Sequence, residues 1–300
     1  MPKSRIRPVA LATPAVSGQA SAHEIYRHTL PVRLFHWINV VCFVLLLASG
    51  LAIFNLYPRL NWGAAGFTVS VAINPSLRSD LDTPAIFEIG GLPDIKRHQS
   101  WMRIGSHQID TSGLLGVAAD EPPFGVQNIA FPPWMTLNLG FLGARGLHLL
   151  INLFFLCNFA FYALYGVASG RFRRTLLPNR DQLRPKAIAR DLWMHLRLKH
   201  SVGLDAARYN LLQKISYLAV LVVLMPASIL SGLTMSPSAL AAFPWLLELF
   251  DGRQSARTIH FICAMLLLLF AFVHIFQVVV AGFANEMRSM ITGRFRIQKE

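Results

Sequence analysis

In four places the apolar positions of this chain run on without polar interruption: roughly 33–54, 145–169, 215–235 and 257–282. Each run has about the 20 residues that carry an α-helix across the ~30 Å hydrocarbon core of a bilayer. Hydrocarbon offers the backbone no hydrogen-bonding solvent, so each run predicts a helix rather than an open strand. The expected fold is an all-α integral membrane protein, a four-transmembrane-helix bundle occupying residues 26–285. Between the runs the pattern changes. Residues 56–133 form a long loop rich in Gly, Pro, Asp and Trp, in which FTVSVAI (67–73) and QIDTSG (108–113) are weak candidates for strands. Residues 171–214 form a second connection, and AIARDLWMHLRLKH (187–200) within it has the spacing of a short amphipathic surface helix. FPWLLELF (243–250), between the third and fourth runs, reads as an interfacial helix. Residues 1–25 read as a disordered tail, with Lys3, Arg5 and Arg7 but no continuous apolar stretch of the kind a cleaved signal needs. Residues 286–300 read as a second basic tail.

Composition agrees: 54% of the residues are hydrophobic and only 14% charged, which a soluble domain does not show. Charge then sets the orientation. The 56–133 loop carries five Lys and Arg against seven Asp and Glu, whereas 171–214 carries eleven against three. Basic residues also gather at both termini. The positive-inside rule therefore puts both termini and the 171–214 connection in the cytoplasm and the 56–133 loop in the periplasm, for a multi-pass protein of the bacterial inner membrane. This asymmetry and the anionic inner leaflet account for the net charge of +13 without a nucleic-acid partner.

The fourth run carries two histidines, His260 and His274. Fourteen residues on an α-helix are four turns less ~40°, so both rings leave one face about 21 Å apart. Ionisable side chains are costly in a bilayer and mark functional positions facing the bundle interior. With the orientation fixed, His36 enters the first helix at the inner level of His274, and His148 enters the second at the outer level of His260. Depth alone therefore pairs His36 with His274 and His148 with His260. Zinc gathers its ligands at one tetrahedral site, which pairs this far apart cannot supply. Proton relays generally add carboxylates, and none lies in the four runs. Two axial imidazoles on the iron of a haem fit the pattern and leave no open position, as electron transfer requires. The expectation is two b-type haems, with His36, His148, His260 and His274 as the metal ligands. No CxxCH motif for covalent haem occurs, and Cys42, Cys157 and Cys263 read as small core residues. The segments RLFH, RGLH and RTIH place Arg33, Arg145 and Arg257 three residues before a histidine, on the same side of the helix and nearer the surface. They are candidates to pair with haem propionates, or simply to reach the headgroups. His23, His28, His98, His107, His195 and His200 lie outside the runs and read as ordinary polar residues.

From about Tyr26 to Phe295, HTLPVRLFHW, RYNLLQK, LSGLTMSP and GRQSARTIH with the later His274 resemble the di-haem cytochrome b family. That family supplies membrane subunits to formate dehydrogenases, nickel–iron hydrogenases and thiosulfate reductases. The last two segments are most similar to thiosulfate reductase cytochrome b subunits. The resemblance implies the same ligand pairing, a quinone pocket beside the inner haem using Asn210 and Gln213, and a periplasmic redox subunit, of the molybdopterin oxidoreductase class, as partner. The 56–133 loop is longer than in the compact hydrogenase type, so the partner's identity does not carry across. The implied role is electron transfer between the quinone pool and that partner, by a subunit rather than a stand-alone catalyst. A self-contained quinol-oxidising cytochrome feeding a small periplasmic acceptor, and a non-redox membrane anchor, are the alternatives; b-type bands in a reduced-minus-oxidised spectrum exclude the anchor.

Overall fold

The computed structural model describes residues 23–63, 85–94, 97–116, 130–137, 141–197 and 209–297. In chain order its elements are β1 (His23–Tyr26), α1 (Leu30–Leu56), β2 (Arg59–Leu60), β3 (Phe87–Asp94), β4 (Arg97–Ile104) and β5 (His107–Asp110). Then come α2 (Phe141–Ala168), α3 (Pro185–Leu196), α4 (Leu211–Met235), α5 (Pro237–Ala242), α6 (Trp245–Leu249), α7 (Arg253–Val280), α8 (Phe283–Thr292) and β6 (Arg294–Ile297). Among the described residues α1, α2, α4 and α7 are the helices long and apolar enough to cross a membrane, so the expected four-helix membrane architecture holds. Each begins three or four residues before its apolar run. Pro31 sits in the first turn of α1, where a missing N–H costs nothing, and Asn210 caps the start of α4 ahead of the apolar stretch. Within α4 the backbone widens into a π-turn over Ala219–Leu224, with the Met225 N–H reaching back to the Val220 carbonyl. Pro226 follows directly and has no N–H to continue the ladder, a recognised cause of local widening.

The helices expose large apolar side chains such as Val41, Phe161, Leu164, Val222, Phe272 and Ile275, a belt that only hydrocarbon satisfies. Cys157 lies on this outward surface, contrary to the core position expected of it, while Cys42 and Cys263 are buried. Inside, Cys42, Phe155, Met225 and Ile229 pack α1, α2 and α4 together.

The 56–133 loop holds an antiparallel sheet in the order β2-β3-β4-β5. Of the two strand candidates, QID lies in β5 and pairs with β4, whereas 67–73 falls outside the described residues. The sheet's register has a chemical cause. Glu88 stands opposite Arg59 on one side and Arg103 on the other and ion-pairs with both. Gly90 stands opposite Trp101, whose ring lies over the bare glycine, and the Arg103 guanidinium covers that ring at 5.1 Å. Gly105, at φ +56°, turns the two-residue β4–β5 hairpin. Leu51 and Phe54 of α1, Ile89 of β3, Phe131 and Phe261 of α7 then form one apolar cluster that docks the sheet on the bundle.

The opposite end is also folded, which corrects both tail assignments. Of the residues assigned to a disordered tail at 1–25, 23–25 lie in β1, which pairs antiparallel with β6, and 1–22 fall outside the described residues. Residues 286–297 continue α8 and then form β6. Ion pairs hold the seam: Arg27 with Glu286 at 2.9 Å, and Glu24 with Arg288 at 2.6 Å and Arg296 at 3.2 Å. Trp37 donates from Nε1 to the Met290 carbonyl at 3.0 Å and so ties α8 against α1.

Gly90→Val would drive a side chain into the Trp101 ring. Overpacking of this kind costs about 1–3 kcal/mol, so limited proteolysis should cut the β3–β4 region faster while helical circular dichroism stays unchanged. Equal cutting of both forms would mean that Trp101 does not rest on Gly90.

Candidate functional site

α7 brings its two histidines against partners on two different helices. The His274 ring centroid lies 6.2 Å from that of His36 on α1, and the His260 centroid 6.2 Å from that of His148 on α2. The pairing expected from depth is therefore the pairing found in space. Two metal–nitrogen bonds of about 2.0 Å, with about 1.1 Å from each nitrogen to its ring centre, separate two imidazole centroids by about 6.2 Å. Among the described residues no group of three or more His, Cys, Asp or Glu could hold a metal ion. A bare ion would thus find only two protein ligands at either place. A macrocycle that brings its own equatorial donors requires only two, one on each face, and the residues present fit such a group.

The outer pair is the more tightly specified. Ser49 of α1 donates its hydroxyl to the Leu45 carbonyl at 2.6 Å, so its oxygen is left to accept from His148 Nδ1 at 2.9 Å. Ser231 of α4 donates to the Ala227 carbonyl at 2.6 Å and lies 3.3 Å from His260 Nδ1, which also donates to the Ser228 carbonyl at 2.9 Å. Every neighbour of the two Nδ1 atoms is an acceptor. Both rings therefore carry the proton on Nδ1 and leave Nε2 bare, the tautomer that binds a metal. Each serine precedes a glycine that lets the ring come close. A Cβ on Gly50 would sit 3.4 Å from His148, and one on Gly232 would sit 3.2 Å from His260. The Ser-Gly-Leu repeat at 49–51 and 231–233 was readable in the sequence, but only contact with a histidine gives it meaning.

Rings rather than hydrogen bonds surround the inner pair. Phe270 stacks on His274 with centroids 5.7 Å apart, Tyr217 meets its edge at 6.5 Å, and Trp37 meets His36 at 5.1 Å. His36 Nδ1 and Asn39 Oδ1 are buried with no hydrogen-bond partner among the described residues.

The three arginines do not share one environment. Arg257 donates to the Arg59 carbonyl at 2.9 Å and to that of Tyr57, and lies over the Phe54 and Tyr57 rings. It clamps the start of α7 to the strand segment after α1. Arg33 donates to the Ile291 carbonyl, while its Nε stays buried and unpartnered. Arg145 is exposed. Their common offset from the histidines thus has a structural use at two positions, and Arg33 alone retains an orphaned buried donor.

Asn210 and Gln213 form a reciprocal capping box at the start of α4. Asn210 Oδ1 accepts from the Gln213 N–H at 2.9 Å, and Gln213 Oε1 accepts from the Asn210 N–H at 3.2 Å. Lys214, one residue on, is buried and donates to Gln182 Oε1 at 2.9 Å and the Leu177 carbonyl at 3.2 Å. Asn210 and Lys214 line a cavity of about 550 Å³ together with Arg27, His28, Arg190 and Tyr209. Tyr209 meets Tyr217 at 5.2 Å, and Tyr217 meets His274, so aromatic contacts connect the cavity to the inner pair. His28 is the residue that sequence reasoning missed. It is only 4% exposed, and its Nδ1 has no hydrogen-bond partner among the described residues. Burial, reinforced by Arg27 and Arg171, pulls its imidazole down to about 3 and keeps it neutral near pH 7. Position outside an apolar run concealed it; the β1–β6 seam is what buries it.

The family of prokaryotic cytochrome b561 matches residues 27–293, most of the chain. The chain belongs to that family. A curated relative, the putative protein-methionine-sulfoxide reductase subunit YedZ1 of Azospira oryzae, is 32% identical over 162 residues, covering 54% of this chain and 77% of its own length. No solved structure matches the chain. Membership makes it a membrane cytochrome of the b type, with haem binding and an electron-transfer role.

Asn210→Ala removes the side-chain half of the α4 cap and should destabilise the protein by about 0.5–2 kcal/mol, read as a lower thermal midpoint in detergent. Asn210→Ser keeps an N-cap acceptor and should restore most of the loss; equal losses for both would argue against the cap.

Proposed function

We propose that this cytochrome binds two b-type haems, one between His36 and His274 and one between His148 and His260, and exchanges electrons between membrane quinone and a separate redox subunit. The observation that carries the reading is the 6.2 Å separation of both histidine pairs, each suited to two axial ligands on one iron. A b-type haem supplies reversible one-electron exchange at iron, without an open position for substrate. The protein's own part is to hold the rings, to exclude water with α1, α2, α4 and α7, and to offer donors to the carboxylates at the surface. Arg33, with its orphaned Nε, suits that last task at the inner level. Arg145 is free to turn toward such a carboxylate, whereas Arg257 is engaged by backbone carbonyls.

Quinone exchange belongs at the β1–β6 end, in the cavity lined by Tyr209, Asn210 and Lys214. Its size suits a small-molecule site, and the Asn210 amide and the Lys214 ammonium can donate to quinone carbonyls. Interconversion of quinol and quinone moves two protons with two electrons, and buried, neutral His28 on the same wall, its Nδ1 without a hydrogen-bond partner among the described residues, can hydrogen-bond the quinone head without itself taking a charge. Gln213 is not among the cavity's lining residues, so its part is to hold Asn210 through the cap. The basic 171–214 connection orients this end toward the cytoplasm of a bacterial inner membrane.

The sheet end then faces the periplasm and the partner subunit. The relative's name describes a reductase subunit, which supports a partner oxidoreductase here, with the molybdopterin class as the specific expectation. Of the tryptophans in this loop, Trp101 is committed to Gly90, while Trp134 at 81% and Trp62 at 49% exposure remain available as contact anchors.

Substitution tests the ligands. His36→Ala and His274→Ala should each abolish the same half of the b-type absorbance, and His148→Ala and His260→Ala the other half. Gly232→Val, which presses on His260, should mimic the second pair. Loss of the same component in His36→Ala and His260→Ala would overturn the pairing.

A separate experiment addresses quinone. Asn210→Ser retains the cap but loses the amide donor, so quinol should reduce the protein several-fold more slowly while the reduced spectrum is unchanged. Normal rates in that variant and in Lys214→Met would move the exchange site away from this cavity.

A further inference from the structure

The two histidine pairs have the same composition and different surroundings. Around the outer pair, both Nδ1 protons are given to acceptors that are themselves fixed: the Ser49 and Ser231 hydroxyls, each anchored to a carbonyl one turn back, and the Ser228 carbonyl. Around the inner pair, His36 Nδ1 has no hydrogen-bond partner among the described residues, and the contacts are aromatic. A hydrogen bond accepted from the far nitrogen makes an imidazole a stronger electron donor and favours the more highly charged state of the metal it binds. It also stops the ring from presenting the wrong nitrogen.

We propose that Ser49 and Ser231 are positioning residues that fix the tautomer of His148 and His260 and lower the reduction potential of the centre these two hold. The inference rests on the two-haem reading above and adds a division of labour to it. α1 and α4, which contribute no ligand to the outer centre, set its redox properties from the second layer. Each does so through one Ser-Gly step, the glycine admitting the ring and the serine oxygen taking its proton. The two serines are not equivalent. His148 has the Ser49 oxygen at 2.9 Å as its principal acceptor, with a weaker contact to the Leu46 carbonyl, whereas His260 keeps the Ser228 carbonyl at 2.9 Å whether or not Ser231, at 3.3 Å, is present.

The test is a spectroelectrochemical titration of the purified full-length protein in lipid nanodiscs. The component that disappears in His260→Ala identifies the outer centre. Ser49→Ala should raise the potential of that component by about 59 mV, a tenfold change in a one-electron equilibrium, and leave the other component where it is. Ser231→Ala should give a smaller shift of the same sign and on the same component, and Ser49→Thr, which keeps a hydroxyl, should return the wild-type value. If Ser49→Ala loses the outer haem altogether, the proposal stands only if Ser231→Ala still shifts that component upward. Unchanged potentials in both alanine variants, or a shift of the inner component instead, would overturn it. Wild-type protein that titrates as one component would refute the two-haem reading itself, which is a different result.

Discussion

A buried imidazole between membrane helices has two nitrogens and no water, and much of this structure follows from how those nitrogens are used. At the outer level the accounting closes on one side of each ring. The Nδ1 proton goes to a serine oxygen or a carbonyl, and the other nitrogen is left bare, with the partner ring's centroid 6.2 Å away. That is an expensive arrangement for a ring that merely fills space, because it leaves an unprotonated nitrogen on each of two neighbouring rings between membrane helices. It becomes favourable when something between them accepts both lone pairs. Haem binding by the family is consistent with that chemistry.

The sequence reached the four helices and the pairing for a simple reason. Apolar length and the fourteen-residue interval between His260 and His274 are local properties, and helix geometry converts them into depth and face without further information. What sequence did not reach is whatever depends on a meeting of distant residues. Ser49 and His148 are 99 positions apart, Arg27 and Glu286 are 259 apart, and His28 is buried only because β1 pairs with β6. The four-stranded sheet was faint because its strands are irregular in hydropathy. β3 contains Gly90 and Gly91 as well as Pro93, and its stability comes from cross-strand partners, the Glu88 ion pairs and the Trp101–Gly90 contact. The repeated Arg-x-x-His offset was legible, but the neighbours of its arginines were not. It marks places where chains enter helices, and the backbone carbonyls of neighbouring segments are the partners that Arg33 and Arg257 find there.

The two ends of the bundle are built from different chemistry. The sheet end closes on an apolar cluster in which Phe54 stacks on Phe261 at 4.6 Å, beneath a small sheet held by two ion pairs to the buried Glu88. The β1–β6 end is polar and cationic and encloses a cavity that borders Arg27, His28, Arg190 and Lys214. The proposed exchange of protons and electrons at one face, with a partner at the other, would use this kind of asymmetry. Its charge pattern along the sequence already expressed the same division, eleven basic residues against three acidic in one connection and five against seven in the other.

The extramembrane elements also answer a question that the helices alone leave open, namely what fixes α7 along its own axis. Between apolar helices in lipid, hydrophobic burial gives no preference for one axial register over another; packing detail and polar contacts must supply it. A slip of α7 by one turn, about 5.4 Å, would part His260 from His148 and His274 from His36 at once, since one rigid helix carries both. Polar contacts hold α7 where it begins. Thr258 donates to the Asn61 carbonyl at 2.6 Å, Arg257 to the Arg59 carbonyl at 2.9 Å, and Ser255 accepts from the Gly63 N–H at 2.7 Å. Beyond its far end, Gly282 at φ +111° turns the chain into α8, which Trp37, Arg27 and the β1–β6 pairing bind to the start of α1. The segment after α1 is thus fastened to the start of α7, and the start of α1 to the element that follows α7. These two ties between the same pair of helices determine the depth of both histidines on α7 together, so the sheet and the β1–β6 seam belong to the histidine site as much as the helices that carry it.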